Sequence, residues 1–289
     1  MRKPVPRVAA IHDLSGFGRA SLTVVIPILS TLGIQVCPLP TAVLSTHSMF
    51  PDYRFIDLTE HMREIIEHWK KLEIDFDAIY SGFLGSPEQI DIVTDFIDTF
   101  SQEETLIVVD PVLGDNGALY GPLNQQMVQE MRRLIGKADL ITPNITEMAL
   151  LLDTPYRSEI AIEEVKRCIL ELSERGPDTV IVTSVSDTED PGRTAVIAYN
   201  RQDGRFWRVS CNYVPATYPG TGDAFTSVVT GSLLQGDSLP IAMDRAMQFT
   251  SMGIRATFGH SYKTIEGILL ERVLEYLQVP VPNSTYELV

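Results

Sequence analysis

Short β-branched runs alternate with amphipathic stretches over the first two-thirds of this chain, and that alternation limits its fold more than any other feature. A short apolar run suits a strand buried on both faces, and an amphipathic stretch between two such runs suits the crossover helix that makes them parallel. Candidate strands are Val8 to Ile11, Gln35 to Leu39, Ala78 to Tyr80, Leu106 to Val109, Leu140 to Ile141 and Val180 to Thr183. Candidate helices are Leu22 to Leu32, Leu58 to Leu72, Glu88 to Phe100, Gln125 to Ile135 and Ile162 to Arg175, each with apolar residues recurring at three and four. Pro27 is expected to kink the first helix or mark a restart. Thr194 to Tyr199 and Phe206 to Ser210 flank a turn-rich Asn200 to Gly204 and predict an antiparallel hairpin; helical stretches follow from about Ala224, Leu239 and Ile265. The expected class is α/β: a central, mostly parallel sheet with helices on both faces and right-handed crossovers. No repeat or linker divides the 289 residues, so residues 1–289 are read as one domain.

A formal net charge of −15 argues against a nucleic-acid partner, whose phosphates are bound by clustered Lys and Arg. A nucleotide is still admissible, because backbone N–H groups and a metal can supply positive potential locally. Cys37, Cys168 and Cys211 fit no zinc-ligand spacing and suit a reducing compartment. The first residues, Met1 to Arg7, lack the apolar stretch of a signal peptide, and no later apolar run is long enough to span a bilayer, so a cytoplasmic protein without membrane contact is expected.

Ligands of open α/β sheets sit beyond the carboxyl ends of the strands, which makes residues just after each candidate strand the first to weigh. The strongest cluster is Pro219-Gly220-Thr221-Gly222-Asp223-Ala224-Phe225, between the hairpin and an apolar helix. Its two glycines permit a sharp turn that gathers N–H groups at one spot, and the helix N-terminus adds positive potential, so the segment suits an anion. Asp223 falls in the first helical turn, where a carboxylate can take a proton from an attacking hydroxyl; an acid serving only the helix dipole is the competing reading. Asp110, opening Asp110-Pro111-Val112-Leu113-Gly114-Asp115, ends a buried strand and is placed to hold Mg²⁺ directly or through water, or else to start an Asp-Pro turn. Asn144 and Glu147 have the i, i+3 spacing of a capping pair and also suit water around a metal–phosphate complex.

The segment His12-Asp13-Leu14-Ser15-Gly16-Phe17-Gly18 is a poor dinucleotide fingerprint: Ser21 stands where the third glycine belongs, and no acid ends the second strand. No Gly-x-x-x-x-Gly-Lys-Ser/Thr occurs, which disfavours a Walker-type NTPase. Of the five histidines, His61 and His68 lie on a charged, solvated helix face. His47 follows an apolar run and suits either a hydrogen bond to a polar aromatic ligand or a structural role.

Taken in chain order, Ser45-Thr46-His47-Ser48, Ser81-Gly82-Phe83-Leu84-Gly85-Ser86, Asp110 to Asp115, Ile141-Thr142-Pro143-Asn144, Gly176 to Ser184 and Gly220-Thr221-Gly222-Asp223 resemble the ribokinase-like superfamily and, within it, the pyridoxal (vitamin B6) kinases. The resemblance covers nearly the whole chain. It implies a ribokinase-like α/β/α fold and ATP-dependent phosphorylation of the 5′-hydroxymethyl group of pyridoxal, pyridoxine or pyridoxamine, with Mg²⁺, commonly a monovalent cation such as K⁺, and a homodimer. It makes Asp223 the general base and Gly220, Thr221 and Gly222 the anion hole. It puts Asp110, Thr142, Asn144, Glu147, Thr183 and Ser184 around the nucleotide, with Asp110 and Glu147 toward the metal. Ser48, His47 and Phe83 match the vitamer pocket. Asp13 is a departure: many pyridoxal kinases have serine there, and an acid suits a protonated ring nitrogen or an amine. The related hydroxymethylpyrimidine kinases carry an acid in that loop, so such a kinase is one alternative. A non-catalytic B6-binding protein is the other.

Overall fold

Val8, Ala9, Ala10 and Ile11 are all fully buried, and alternate members enter opposite cores: Ala9 and Ile11 one, Val8 and Ala10 the other. That is the signature of a strand covered on both faces. The computed structural model describes residues 4–121, 123–186, 190, 192–260, 263–279 and 284–289. In chain order its elements are β1 (Arg7–Ser15), α1 (Leu22–Thr31), β2 (Gln35–Leu44), β3 (Phe55–Asp57), α2 (Thr59–Lys71), β4 (Ala78–Ser81), α3 (Pro87–Phe100), β5 (Leu106–Val109), β6 (Gly114–Asp115), β7 (Ala118–Leu119), α4 (Gln125–Ile135), β8 (Leu140–Ile141), α5 (Ile145–Leu152), α6 (Ile162–Glu174), β9 (Thr179–Ser186), β10 (Arg193–Asn200), β11 (Arg205–Asn212), α7 (Thr221–Gln235), α8 (Leu239–Phe258) and β12 (Tyr286–Leu288).

One ten-stranded sheet runs in the order β12-β11-β10-β9-β8-β5-β4-β1-β2-β3, and β6 and β7 form a separate two-stranded ribbon. The middle of the sheet, from β9 through β2, is parallel; both margins are antiparallel. Helices α2 to α6 cover one face and α1, α7 and α8 the other, giving the three-layer α/β fold expected from the alternation. Among the described residues, no helix is long and apolar enough to cross a membrane.

Several elements differ from the sequence expectations. Helix α1 passes through Pro27 without ending. A proline inside a helix costs about 3 kcal/mol, while Val24, Val25, Ile28 and Leu29 are each fully buried around it and contribute roughly 1.5–3 kcal/mol apiece. Packing outweighs the lost donor. The helix expected from Ile265 onward is instead a series of 3₁₀ turns, Thr264–Glu266, Leu270–Arg272 and Leu274–Gln278, broken at Gly267 with φ +85°. Strands β3 and β12 are sheet margins with exposed side chains, so no buried run announces them. The Asn200 to Gly204 hairpin joins β10 and β11 as expected.

Candidate active site

Every parallel strand delivers polar residues to the same edge of the sheet, its carboxyl edge. Strand β1 brings Asp13, where its register with β2 slips between His12 and Leu14 and so re-aims the side chain. Strand β4 leads into Gly82 and Phe83, β5 into Asp110, and β8 into Thr142 and Asn144. Strand β9 continues to Ser186, past the expected strand end at Thr183. It does so through an irregularity in its pairing with β10 at Thr183 and Ser184, with Ser184 at φ +59°; Thr183 donates its N–H to the Pro143 carbonyl at 2.9 Å, which holds it beside Asn144.

The sharp turn expected of the two glycines forms before α7. Gly220 caps α7 in the left-handed conformation, φ +79°, and a β-carbon there would lie 2.3 Å from the Arg19 carbonyl, so no other residue fits without moving backbone. Thr221, Gly222 and Asp223 supply N–H groups of the first helical turn, which have no intrahelical acceptor. The Thr221 hydroxyl turns away onto the Tyr218 carbonyl at 3.0 Å, leaving its N–H for a ligand.

Asp223 is largely enclosed. Its Oδ2 accepts the Ser21 N–H at 2.8 Å, and its Oδ1 lies 3.9 Å from His12 Nδ1. Burial raises its pKa to about 6, and the charge of Asp13 pushes in the same direction against the Ser21 hydrogen bond. His12 is fully buried edge-on to Tyr80, its ring nitrogens lack hydrogen-bond partners of normal geometry, and burial holds its pKa down at about 3. It is a neutral neighbour of Asp223 rather than an ion-pair partner.

Across the turn, Asp110 Oδ2 lies 3.9 Å from where a β-carbon on Gly222 would stand. The carboxylate of Asp110 has weak support, from Thr226 Oγ1 at 3.5 Å with Thr142 beside it, and Thr226 itself donates to Thr142 at 2.9 Å. Burial raises its pKa well above the ordinary value, and the charges of Glu147 and Asp223 add to the effect. Asn144 and Glu147 form the expected capping box: the Asn144 side chain accepts the Glu147 N–H, and Glu147 Oε2 accepts the Asn144 N–H, both at 2.9 Å. Glu147 Oε1 also takes the Leu113 N–H at 3.1 Å, and Asn144 Nδ2 donates to the Gly114 carbonyl, so the pair pins the loop after β5. Burial puts the pKa of Glu147 at about 8 despite those donors. Burial raises the pKa of all three acids, and the charges of Glu147 and Asp223 add to the rise at Asp110; such a group fits a hard divalent cation, which would stabilise the charged forms. Asp110 has the freer oxygens for it; Glu147, with both oxygens occupied by N–H groups, fits a water-mediated contact. Among the described residues, no three His, Cys, Asp or Glu side chains form a ready cage of protein ligands.

On the β1 side of Ser21, Asp13 is buried, accepting the Ser21 hydroxyl on Oδ1 and the Ser15 hydroxyl on Oδ2 at 3.2 Å. Burial raises its pKa. Of the two readings of His47, the geometry favours the structural one: Nε2 meets the Ile265 carbonyl at 2.6 Å, Nδ1 accepts the Met49 N–H at 3.4 Å, and the ring packs on Phe50. Ser48 is exposed and Phe83 half-buried. Ser21, Thr226 and His12 were not foreseen as site residues. Only the loss of the third glycine at Ser21 marked that position in the sequence.

A family model of phosphomethylpyrimidine kinases matches residues 58–266. A Bacteroides thetaiotaomicron protein, solved with pyridoxal under the provisional description of a phosphomethylpyrimidine kinase, is 61% identical; the match covers 99% of this chain and 100% of that one, with a TM-score of 0.96. The pyridoxal kinase of Paraburkholderia xenovorans is 28% identical, over 87% of this chain and 88% of its own length. The crystal structure of the Lactobacillus plantarum pyridoxal kinase is 29% identical, with 95% and 97% coverage and a TM-score of 0.85.

Proposed function

This chain belongs to the phosphomethylpyrimidine kinase family, and from that premise we propose how its buried acids carry out phosphoryl transfer. The protein is an ATP-dependent kinase that phosphorylates the 5′-hydroxymethyl group of a B6 vitamer. The observation that carries the assignment of roles is the position of Asp223: an enclosed carboxylate of pKa about 6, one turn behind the left-handed Gly220 and facing the acid cluster.

Asp223 accepts the proton of the vitamer's hydroxyl as its oxygen bonds to the γ-phosphorus and the bond to the ADP oxygen breaks. A base of pKa about 6 is charged at neutral pH and still basic enough to accept that proton. The N–H groups of Thr221, Gly222 and Asp223, with the positive end of α7, stabilise charge on the transferring phosphoryl oxygens. Gly220 keeps that cradle open. Asp110, directly, and Glu147, through water, would hold Mg²⁺, which supplies neutralisation of the triphosphate when bound. Thr142, Asn144, Thr183 and Ser184 border the nucleotide side. Asp13, Ser48 and Phe83 face the vitamer, with His47 contributing its ring and not a hydrogen bond. Phe83 offers an aromatic face to the pyridine ring.

A side-by-side assay of pyridoxal, pyridoxine, pyridoxamine and hydroxymethylpyrimidine tests the acceptor; preference for the pyrimidine would overturn the B6 reading. Ligand binding without ATP consumption would overturn the kinase itself. The same reading includes a homodimer in the cytoplasm and stimulation by K⁺, tested by sedimentation, by fractionation and by assays with K⁺ replaced by Na⁺.

A further inference from the structure

Ser21 stands immediately before α1, where a serine ordinarily turns its hydroxyl back onto first-turn N–H groups. It makes no such cap. Its backbone lies at φ +53°, ψ −131°, a region that a residue with a β-carbon adopts only when its surroundings enforce it. All three of its polar groups are committed. Its carbonyl accepts the Val24 and Val25 N–H groups at 2.9 Å each, and its N–H donates to Asp223 Oδ2 at 2.8 Å. Its hydroxyl donates to Asp13 Oδ1. The residue is buried, and a bridge between Leu14 and Ser21 ties it to the end of β1.

We propose that Ser21 is a positioning residue joining two acids on either side of it: Asp13, through the Ser21 hydroxyl, holds the left-handed turn, and that turn aims the Ser21 N–H at Asp223. The inference rests on Asp223 being the base. It gives Asp13 a second task beside facing the vitamer, and one that suits an acid. A carboxylate accepts only, and its two oxygens take the Ser15 and Ser21 hydroxyls together; a serine at position 13 has a single oxygen to offer. Without the hydroxyl anchor, a residue with a β-carbon relaxes out of the left-handed region, the N–H swings away, and Asp223 loses its only hydrogen-bonded tether among the described residues. Glycine reaches the same turn without strain and keeps the N–H in place more often.

The test compares kcat and KM of S21A, S21G, D223N and the S21A/D223N double variant, each checked for folding by the rise in melting temperature with ADP. S21A should lower kcat by roughly ten- to a hundredfold, as expected for disturbing a hydrogen bond to a charged group, with KM for ATP changed by less than about threefold. S21G should retain more kcat than S21A. In the D223N background S21A should change kcat less than about twofold, because the base that the tether positions is already gone. A structural role alone would give the same loss in both backgrounds, and that additivity would overturn the proposal, as would wild-type kcat in S21A or a lower kcat in S21G than in S21A. If S21A does not fold, S21G in the two backgrounds makes the same comparison. Full turnover in D223N would instead overturn the base assignment, and the role of Ser21 with it.

Discussion

Lowering the pH from 7 to 5 should slow this kinase about tenfold in kcat/KM, and the reason is specific to the burial of Asp223. An aspartate with an ordinary pKa of 3.8 stays more than nine-tenths ionised at pH 5, and a base of that kind would give a nearly flat profile over this range. With the pKa raised to about 6, the ionised fraction falls from about 0.9 at pH 7 to about 0.09 at pH 5. Neighbouring groups confuse this window little. His12, near 3, stays neutral throughout, burial lowers the pKa of His47, and Glu147, at about 8, is mostly protonated across the range in the free enzyme. Asp13 and Asp110 are the exceptions: the charge of Asp13 helps to raise the pKa of Asp223, and Asp110, its own pKa raised by burial, interacts with the charge of Asp223. Replacing Asp13 by Asn should therefore move the acid limb to lower pH without taking it to 3.8, because desolvation is the larger cause and remains. The assay is initial-rate kinetics at constant ionic strength between pH 4.5 and 8, on wild type, D13N and D223N. D223N should lose roughly 10²- to 10⁴-fold and show no limb near 6. A flat wild-type profile to pH 5, or a limb that survives in D223N, would refute the assignment of the base.

Asp110→Asn should cost at least roughly a hundredfold in turnover yet make the ligand-free protein more stable at pH 8 by about 1–3 kcal/mol. The folded pKa of Asp110 is raised, so its contribution to stability is full below the unfolded value and is lost as pH rises through the folded one. Melts at pH 5 and pH 8 check this: the gain should be larger at the higher pH, and a loss there would show the carboxylate to be supported by contacts. By the same logic Mg²⁺ should raise the melting temperature more at pH 8 than at pH 5, where protons compete for the acids; an equal rise at both would take the acid cluster out of metal binding. Gly220→Ala forces a β-carbon within 2.3 Å of the Arg19 carbonyl at a left-handed φ, and should destabilise by about 1–3 kcal/mol with loss of turnover. Wild-type melting and turnover in that variant would show that the turn does not require glycine.

The fold was legible where burial imposes a period. Each strand of the parallel centre is an apolar run because helices cover both its faces, and five of the helices were bounded to within a residue at each end by their three-four spacing. Legibility failed where burial ends. Phe55 to Asp57 and Tyr286 to Leu288 pair only at the sheet margins, and the 3₁₀ turns after Thr264 place Ile268, Leu270, Val273 and Leu277 in the core at spacings that resemble a helix without forming one. Pro27 marks no restart, because the four buried aliphatics around it hold the helix through the missing donor.

In the site, the residues that could be read were those whose chemistry is local. Gly220 and Gly222 announce a turn, Asn144 and Glu147 a capping box, and Asp110 a strand end; each needs only its own few neighbours to be recognised. What could not be read depends on contacts between distant segments. Asp13 and Ser21 are eight residues apart, and Ser21 and Asp223 are 202 apart. A serine before a helix reads as an N-cap, and nothing in the linear sequence says that its hydroxyl points to the strand behind while its N–H points to α7. The pKa of Asp223 is of the same kind: burial raises it, with Ser21 before α1 at one oxygen and His12 of β1 beside the other. The sequence motif thus identifies which group can act as a base, and the packing of remote segments around it decides the pH at which it does so.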